Sequence, residues 1–387
     1  MLDTAPLFSV AEYRGRVTRL QDHMKTAQMD GLLLTTPADI FYITGFLTRF
    51  WESPARPWFI LVPAVGDPIA IIPSIGAALM GQCWLDDMRT WDAPDPTDDG
   101  VSLLADAIVE TIPPNGTLGL PMGLETHLRM PLADFERVTT RIKPRRIVDA
   151  TAAVQRVREV KSEAEIAKIK ATCEIADRVF ARVPEFAASG RPLDQVFRDF
   201  QIALLQEGAD WVSYVAGGAG QGGYGDVISP ATAQPLAKGD VLMLDTGAVK
   251  DGYFCDFDRN YSVGPPNANL QRAQDALFVA TELALETLRP GMTAADLYAI
   301  MMTSLDKSGA TAGGGRFGHG LGITLTEWPS FTAKDTTPLR EGMVLTLEPG
   351  VEVSTGKFLV HEENIVLRAN GPELLSARAP QELPRLK

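Results

Sequence analysis

Cysteine is nearly missing from this sequence. The three present, Cys83, Cys173 and Cys255, are odd in number, far apart and without metal-site spacing. That excludes a disulfide framework and makes a reducing cytoplasm the expected compartment. Also missing is any uninterrupted apolar stretch of about 18 residues, so no membrane-spanning helix is expected. The N-terminal segment MLDTAPLFSVAEYRGR lacks a basic stretch followed by an apolar run, so no signal peptide is expected either. Positive charge is in deficit: 36 Lys and Arg stand against 49 Asp and Glu, for a net charge of −13. Nucleic acid and anionic membranes would be repelled at long range, which excludes both as partners. No repeat by identity and no low-complexity tract is visible.

What remains is globular in composition, with 45% hydrophobic and 22% charged residues. The length suits two domains, expected at residues 1–155 and 156–387. The first alternates helix-like and strand-like patterns. Val10 to Ala27 and Val101 to Thr111 read as helices, and Gly31 to Thr35 and Gly116 to Leu120 as strands. Trp58 to Pro63 and Pro68 to Pro73 pair around Val65-Gly66-Asp67. This is α/β organisation. The second domain opens with a capping box, Ser162 and Glu165, ahead of Ile166, Ile169, Cys173, Ala176 and Phe180 at helical spacing. Hairpin signals follow at Lys250-Asp251-Gly252 and Ser354-Thr355-Gly356, so an α+β domain is expected.

Those hairpins carry acids in otherwise apolar strands. Val241 to Asp245 and Tyr253 to Asp258 read as strands. A turn centred between Lys250 and Asp251 places Asp245 opposite Asp256. Around Thr355, the second hairpin places Glu348 opposite Glu362. Strand alternation selects Glu362 over Glu363, because neighbours point to opposite faces. Facing carboxylates repel, and buried without a cation they become protonated. A shifted turn, or aspartates facing water, is the plainer reading of either hairpin alone. Two such hairpins point to a shared divalent cation site. Gly318-His319-Gly320-Leu321-Gly322 adds a histidine that other groups can approach closely. Four carboxylates with one imidazole favour manganese, then iron or cobalt, with zinc also open.

These residues carry a resemblance. The chain resembles the pita-bread metallohydrolases, which comprise proline-specific aminopeptidases and dipeptidases, methionine aminopeptidases and creatinases. It does so through Asp39-Ile40-Phe41-Tyr42-Ile43-Thr44-Gly45-Phe46, Val157-Arg158-Glu159-Val160-Lys161-Ser162, Leu244-Asp245-Thr246-Gly247, Asp256 with Arg259, Gly318 to Gly322, Glu348-Pro349-Gly350 and Glu362-Glu363-Asn364-Ile365. The resemblance implies a creatinase-like N-terminal α/β domain before a pita-bread catalytic domain. It further implies two divalent metal ions bridged by Asp256 and Glu362. Asp245 would complete one, and His319 with Glu348 the other. Glu348 would handle the proton. Two metals about 3.5–4 Å apart acidify a water and polarise a carbonyl. Retention of the full ligand set argues against a creatinase.

Two positions depart from the peptidase pattern. Where the peptidases carry a second histidine, seven residues beyond the first, this chain has Thr326, followed by Glu327. Where they carry one some 17 residues before the first aspartate, it has Val227, Ile228 and Ser229. Thr326 and Arg259 are the candidate catalytic replacements, with Asp258 beside them. The expected function is metal-dependent cleavage of a C–N bond, Xaa-Pro aminopeptidase- or dipeptidase-like. A small non-peptide amide or lyase substrate is the alternative, and a binding protein on the same fold a second. Because threonine is short and uncharged, weak cleavage of Xaa-Pro dipeptides is expected. The run TRFWESPARPW, rich in aromatic residues and arginine, suggests a homodimer in which Arg49 to Arg56 helps enclose a partner's pocket.

Overall fold

In the computed structural model, residues 7–52 and 56–387 are described, and they divide into two compact units, Met1–Arg158 and Glu159–Lys387. The first contains α1 (Val10–Thr26), β1 (Gly31–Leu34), α2 (Pro37–Thr44), β2 (Phe59–Pro63), β3 (Ile69–Pro73), α3 (Ala77–Met80), β4 (Met88–Trp91), α4 (Val101–Thr111), β5 (Thr117–Leu120), α5 (Leu132–Arg141), β6 (Arg146–Asp149) and α6 (Thr151–Arg158). The six strands form one mixed sheet in the order β4-β3-β2-β1-β5-β6. β1 pairs antiparallel with β2 and parallel with β5. β2 and β3 pair about Val65, as the sequence predicts. Ser9 caps α1 by accepting from the Glu12 amide, and Thr36 followed by Pro37 starts α2. Leu104, Ile108 and Val138 join Leu33, Leu61 and Ile71 in one apolar cluster.

In the run expected at a dimer interface, Ser53, Pro54 and Ala55 lie outside the described residues. Trp51 packs edge-on against Phe46 and Trp58, and the Arg129 guanidinium lies over its ring. Much of that tryptophan is therefore spent within its own unit.

The second unit contains α7 (Glu163–Phe186), α8 (Leu193–Gln206), β7 (Trp211–Gln221), β8 (Asp240–Lys250), β9 (Tyr253–Phe254), β10 (Phe257–Val263), α9 (Ala268–Thr287), α10 (Ala294–Lys307), β11 (Thr311–Ala312), β12 (His319–Gly320), β13 (Glu327–Ser330), β14 (Val344–Leu347), β15 (Gly350–Ser354), β16 (Lys357–Val360), β17 (Glu363–Arg368), β18 (Gly371–Leu374) and β19 (Arg385–Leu386). One sheet runs β19-β10-β8-β7, a second β13-β12-β14-β17-β18, and a third β11-β15-β16. The Ser162–Glu165 capping box is formed, and the predicted apolar stripe of α7 is buried. α7 packs on β8 and α8 on β7, while α9 lies against β15 and β18. Among the described residues no helix is long and apolar enough to cross a membrane.

The two hairpins fare differently. The second holds the predicted register on both sides of the acids, with Leu347 opposite Glu363 and Gly350 opposite Val360. The ladder itself breaks between those pairs, and Glu348 and Glu362 sit in the break. The first hairpin is corrected: Asp245 lies opposite Asp258, not Asp256. Asp251 and Gly252 both have positive φ and form a two-residue turn, closed by Lys250 opposite Tyr253. The centre thus sits one residue later, which moves each partner by two. A shift of two preserves the face, so Asp256 stays on the side of Asp245.

Candidate metal centre

Asp245 projects from β8, Asp256 from the break between β9 and β10, and Glu362 from the residue before β17. Each offers a carboxylate oxygen, and the three oxygens lie within 4.8 Å of one another. His319, at the start of β12, adds an imidazole whose Nε2 is 3.2 Å from Asp256 Oδ2 and 3.0 Å from Glu348 Oε1. Its Nδ1–H donates to the Gly320 carbonyl at 2.8 Å, which turns Nε2 toward the acids. The flanking glycines are required. Gly318 has φ +136°, and a side chain there would strike the Thr346 carbonyl, while one at Gly320 would strike the Trp328 carbonyl.

The electrostatics are those of crowded, desolvated anions. Burial, then the charges of Asp256, Asp258 and Glu348, push the Asp245 carboxyl well above its usual range. Burial, then Asp245, Glu348 and Asp256, do the same to Glu362. Burial would lower the His319 imidazole, but hydrogen bonds and charge from Asp256 and Glu348 hold it up at about 10. Burial would raise Glu348, but His319, the Arg316 charge and the Thr346 hydroxyl together hold it below the usual range. Glu362 Oε2 is buried without a hydrogen-bond partner. Acids placed this way shed their protons readily only to a cation, and a divalent ion suits an oxygen-rich set.

Several side chains fix these five; the sequence reading missed Tyr214 and Thr346 and named Asp258 only as a neighbour. The Tyr214 hydroxyl lies 2.5 Å from Asp256 Oδ1 and 3.2 Å from both Asp245 oxygens. Tyr214 sits where the β7–β8 register slips between Val212 and Val215, and such a bulge re-aims a side chain. Thr346 accepts from the His319 amide at 3.0 Å and donates to Glu348 Oε1 at 2.9 Å. Asp258, raised by burial to about 8, accepts the Glu362 amide at 2.7 Å. None of these contacts leaves a spacing signature in the chain.

The other predicted residues are placed differently. Arg259 is tied into the backbone: its guanidinium donates to the carbonyls of Asp258, Glu362 and Ala377 and to Glu363 Oε2. It also lies over the Phe257 and Phe180 rings, and Phe180 belongs to α7. Alternation along β10 turns it away from the face of Asp258, and its bond to the Glu362 carbonyl holds that backbone. Thr326 accepts a hydrogen bond from Arg316 Nη2 at 3.2 Å. Glu327 beside it pairs with Lys161 at 2.9 Å and accepts the Ile323 amide. Ile228 is 88% exposed on the loop between β7 and β8.

An α/β unit ahead of a unit whose sheets converge on a carboxylate–histidine cluster is the architecture of a two-domain metallohydrolase. Residues 16–160 match the Creatinase/Prolidase N-terminal domain, and residues 167–369 match Metallopeptidase family M24. The "probable dipeptidase PepE" of Mycobacterium tuberculosis is 30% identical over 383 residues, 97% of each chain. An Xaa-Pro dipeptidase of Pyrococcus horikoshii is 29% identical over 262 residues, 66% of this chain and 72% of that one. Among solved structures, dipeptidase PepE from Mycobacterium ulcerans superposes with a TM-score of 0.84 at 28% identity, covering 98% of this chain and 99% of the other. A prolidase from Thermococcus sibiricus does so with 0.85 at 26%, covering 97% and 99%. The chain belongs to metallopeptidase family M24, with the pita-bread fold, and is a metal-dependent peptidase.

Proposed function

We propose that this peptidase works with two divalent cations and hydrolyses the bond preceding proline in small peptides. Asp256 and Glu362 would bridge the pair, with Asp245 completing one ion and His319 and Glu348 the other. The observation that carries this reading is the convergence of Asp245, Asp256 and Glu362 within 4.8 Å, with Glu362 Oε2 lacking any partner. The names of the dipeptidase and prolidase relatives support the substrate class. Manganese is the preferred ion, because the donor set is hard and oxygen-rich. Cations held there supply an acidified water and a polarised carbonyl.

The chain's own residues do the rest. Glu348 takes the proton from the attacking water and returns it to the leaving nitrogen. Thr346 and His319 hold its carboxylate in place, and Tyr214 fixes Asp245 and Asp256 relative to each other. The working form is a homodimer in the cytoplasm, a compartment consistent with free thiols at all three cysteines.

Thr326 favours a second reading, cleavage of a smaller amide that brings its own polar group. The test strips the purified chain of metal, reconstitutes it with manganese, iron, cobalt or zinc, and assays Xaa-Pro dipeptides, other dipeptides and small amides. Metal-dependent cleavage of Xaa-Pro dipeptides is expected. Turnover of small amides alone would replace the peptide reading with the second.

A further inference from the structure

We propose that Arg316 stabilises the negative charge that develops on the scissile carbonyl oxygen, with Thr326 as its anchor. The inference rests on the peptide-hydrolase reading above and deepens it. The water oxygen attacks the carbonyl carbon, its proton passes to Glu348, and the carbonyl π pair moves onto oxygen. The C–N bond then breaks, and the nitrogen leaves with that proton. A positioned cationic donor is needed while the charge sits on oxygen. Four carboxylates, two of them buried, surround the reaction, and neither Thr326 nor the Ile228 loop supplies positive charge.

The other cations near these strands are engaged. Arg259 is held by three carbonyls and Glu363, and Lys161 by Glu327. Arg378 is held by Glu282, Glu363 and the Phe278 carbonyl. Arg316 is not held in that way. Its one hydrogen bond among the described residues goes from Nη2 to Thr326 Oγ1, and it has no carboxylate in ion-pair contact there.

Its position is set by the backbone of the centre. Gly315, at φ +103°, turns the chain immediately before it. The next residue, buried Phe317, accepts the Glu348 amide at 3.1 Å, so Arg316 is one residue from the carbonyl that pins the proton-handling acid.

Threonine at 326 makes chemical sense in this setting. Its hydroxyl accepts one N–H without neutralising the cation, whereas a carboxylate there would quench it. The planar guanidinium keeps its remaining N–H groups for another oxygen. The weak cleavage expected from Thr326 alone counts only the side chain at that position and leaves out the charge it holds.

The test uses the full chain loaded with manganese. Arg316→Gln is expected to lower kcat on an Xaa-Pro dipeptide by about 10²–10³, the usual effect of removing such a donor, with KM within about threefold. Metal content and melting temperature should match the wild type. Calorimetry with a phosphinic dipeptide analogue, tetrahedral and anionic, should show about 100-fold weaker binding on the same grounds. Arg316→Lys should restore part of kcat by keeping the charge without the fork. Thr326→Val should give a smaller loss of kcat. Wild-type kcat in Arg316→Gln overturns the inference. So does a loss confined to KM that vanishes on C-terminally amidated substrates, which would mark a carboxylate grip. A wild-type chain that cleaves no dipeptide with any of the four metals removes the peptide reading, and this inference with it.

Discussion

Asn364 grips the Asp256 backbone on both sides of its Cα: its Oδ1 accepts the Asp256 N–H at 3.0 Å, and its Nδ2 donates to the Asp256 carbonyl. Asp256 lies in the break between β9 and β10, where no ladder partner holds its backbone. The asparagine on β17 replaces that partner, and it sits two residues from Glu362. One side chain thereby sets the separation of the two carboxylates proposed to bridge the metals.

Replacing Asn364 with alanine should therefore act on binding and stability together. Three buried hydrogen bonds are lost, one of them from the Cys173 thiol, and two backbone groups are left unsatisfied, for a cost of about 2–4 kcal/mol in a denaturant melt. Metal affinity, titrated against a competing chelator, should fall about 10–100-fold, as for other residues that support ligands. Unchanged affinity would separate the clamp from the centre.

Asp256→Asn should abolish turnover while leaving a folded chain. Elemental analysis of the wild type in excess manganese should approach two ions per chain, and the variant should fall short. In chelator the order of stability reverses: Asp256 is a buried carboxyl raised above its ordinary range by burial, so removing its charge relieves the metal-free fold. The variant should melt above the wild type without metal and below it with metal. A fully active variant would falsify the ligand assignment.

Asp177 gives a pH prediction away from the centre. Burial raises its carboxyl from 3.8 to about 6, only partly offset by the Ala377 amide and the Arg259 charge. A pKa raised on folding means the associated stability is fully present below 3.8 and is lost as pH climbs through about 6. Asp177→Asn should match the wild type near pH 3.5 and exceed it at pH 8 by about 1 kcal/mol, a figure reduced for partial exposure. Equal stability at pH 8 would contradict the assignment.

Light scattering at micromolar concentration should give twice the chain mass of 41.9 kDa. A fully active monomer would refute the homodimer.

Much of the centre was legible because strand geometry is strict. The register around Glu348 and Glu362 agrees with a turn centred on Thr355, although the turn closes at Ser354 and Lys357 and a register shift between Glu352 and Ser354 restores it; alternation separated Glu362 from Glu363. The Asp245 partner was misjudged because the centre was set at Lys250-Asp251 although Asp251-Gly252 is the stronger turn signal. The face survived the error. The same alternation puts Arg259 and Asp258 on opposite faces of β10, since odd and even positions face opposite ways. Tyr214, Thr346 and Arg316 were not legible. Tyr214 and Thr346 reach the centre through a bulge and a hydroxyl shared between neighbouring strands, Arg316 stands on a glycine-turned loop ahead of His319, and none of these has a period.

The five centre residues come from segments far apart in sequence, and Glu348 and Glu362 stand where their ladder is broken. Ions held among them would join strands that the backbone itself leaves unjoined, closing long loops as a covalent staple would. Amides in β8 on one side, and in the paired β14 and β17 on the other, should then exchange with deuterium at unrelated rates in the stripped chain and as one cooperative block in the loaded one. The seam between the sheets would change from the first place to open to the last.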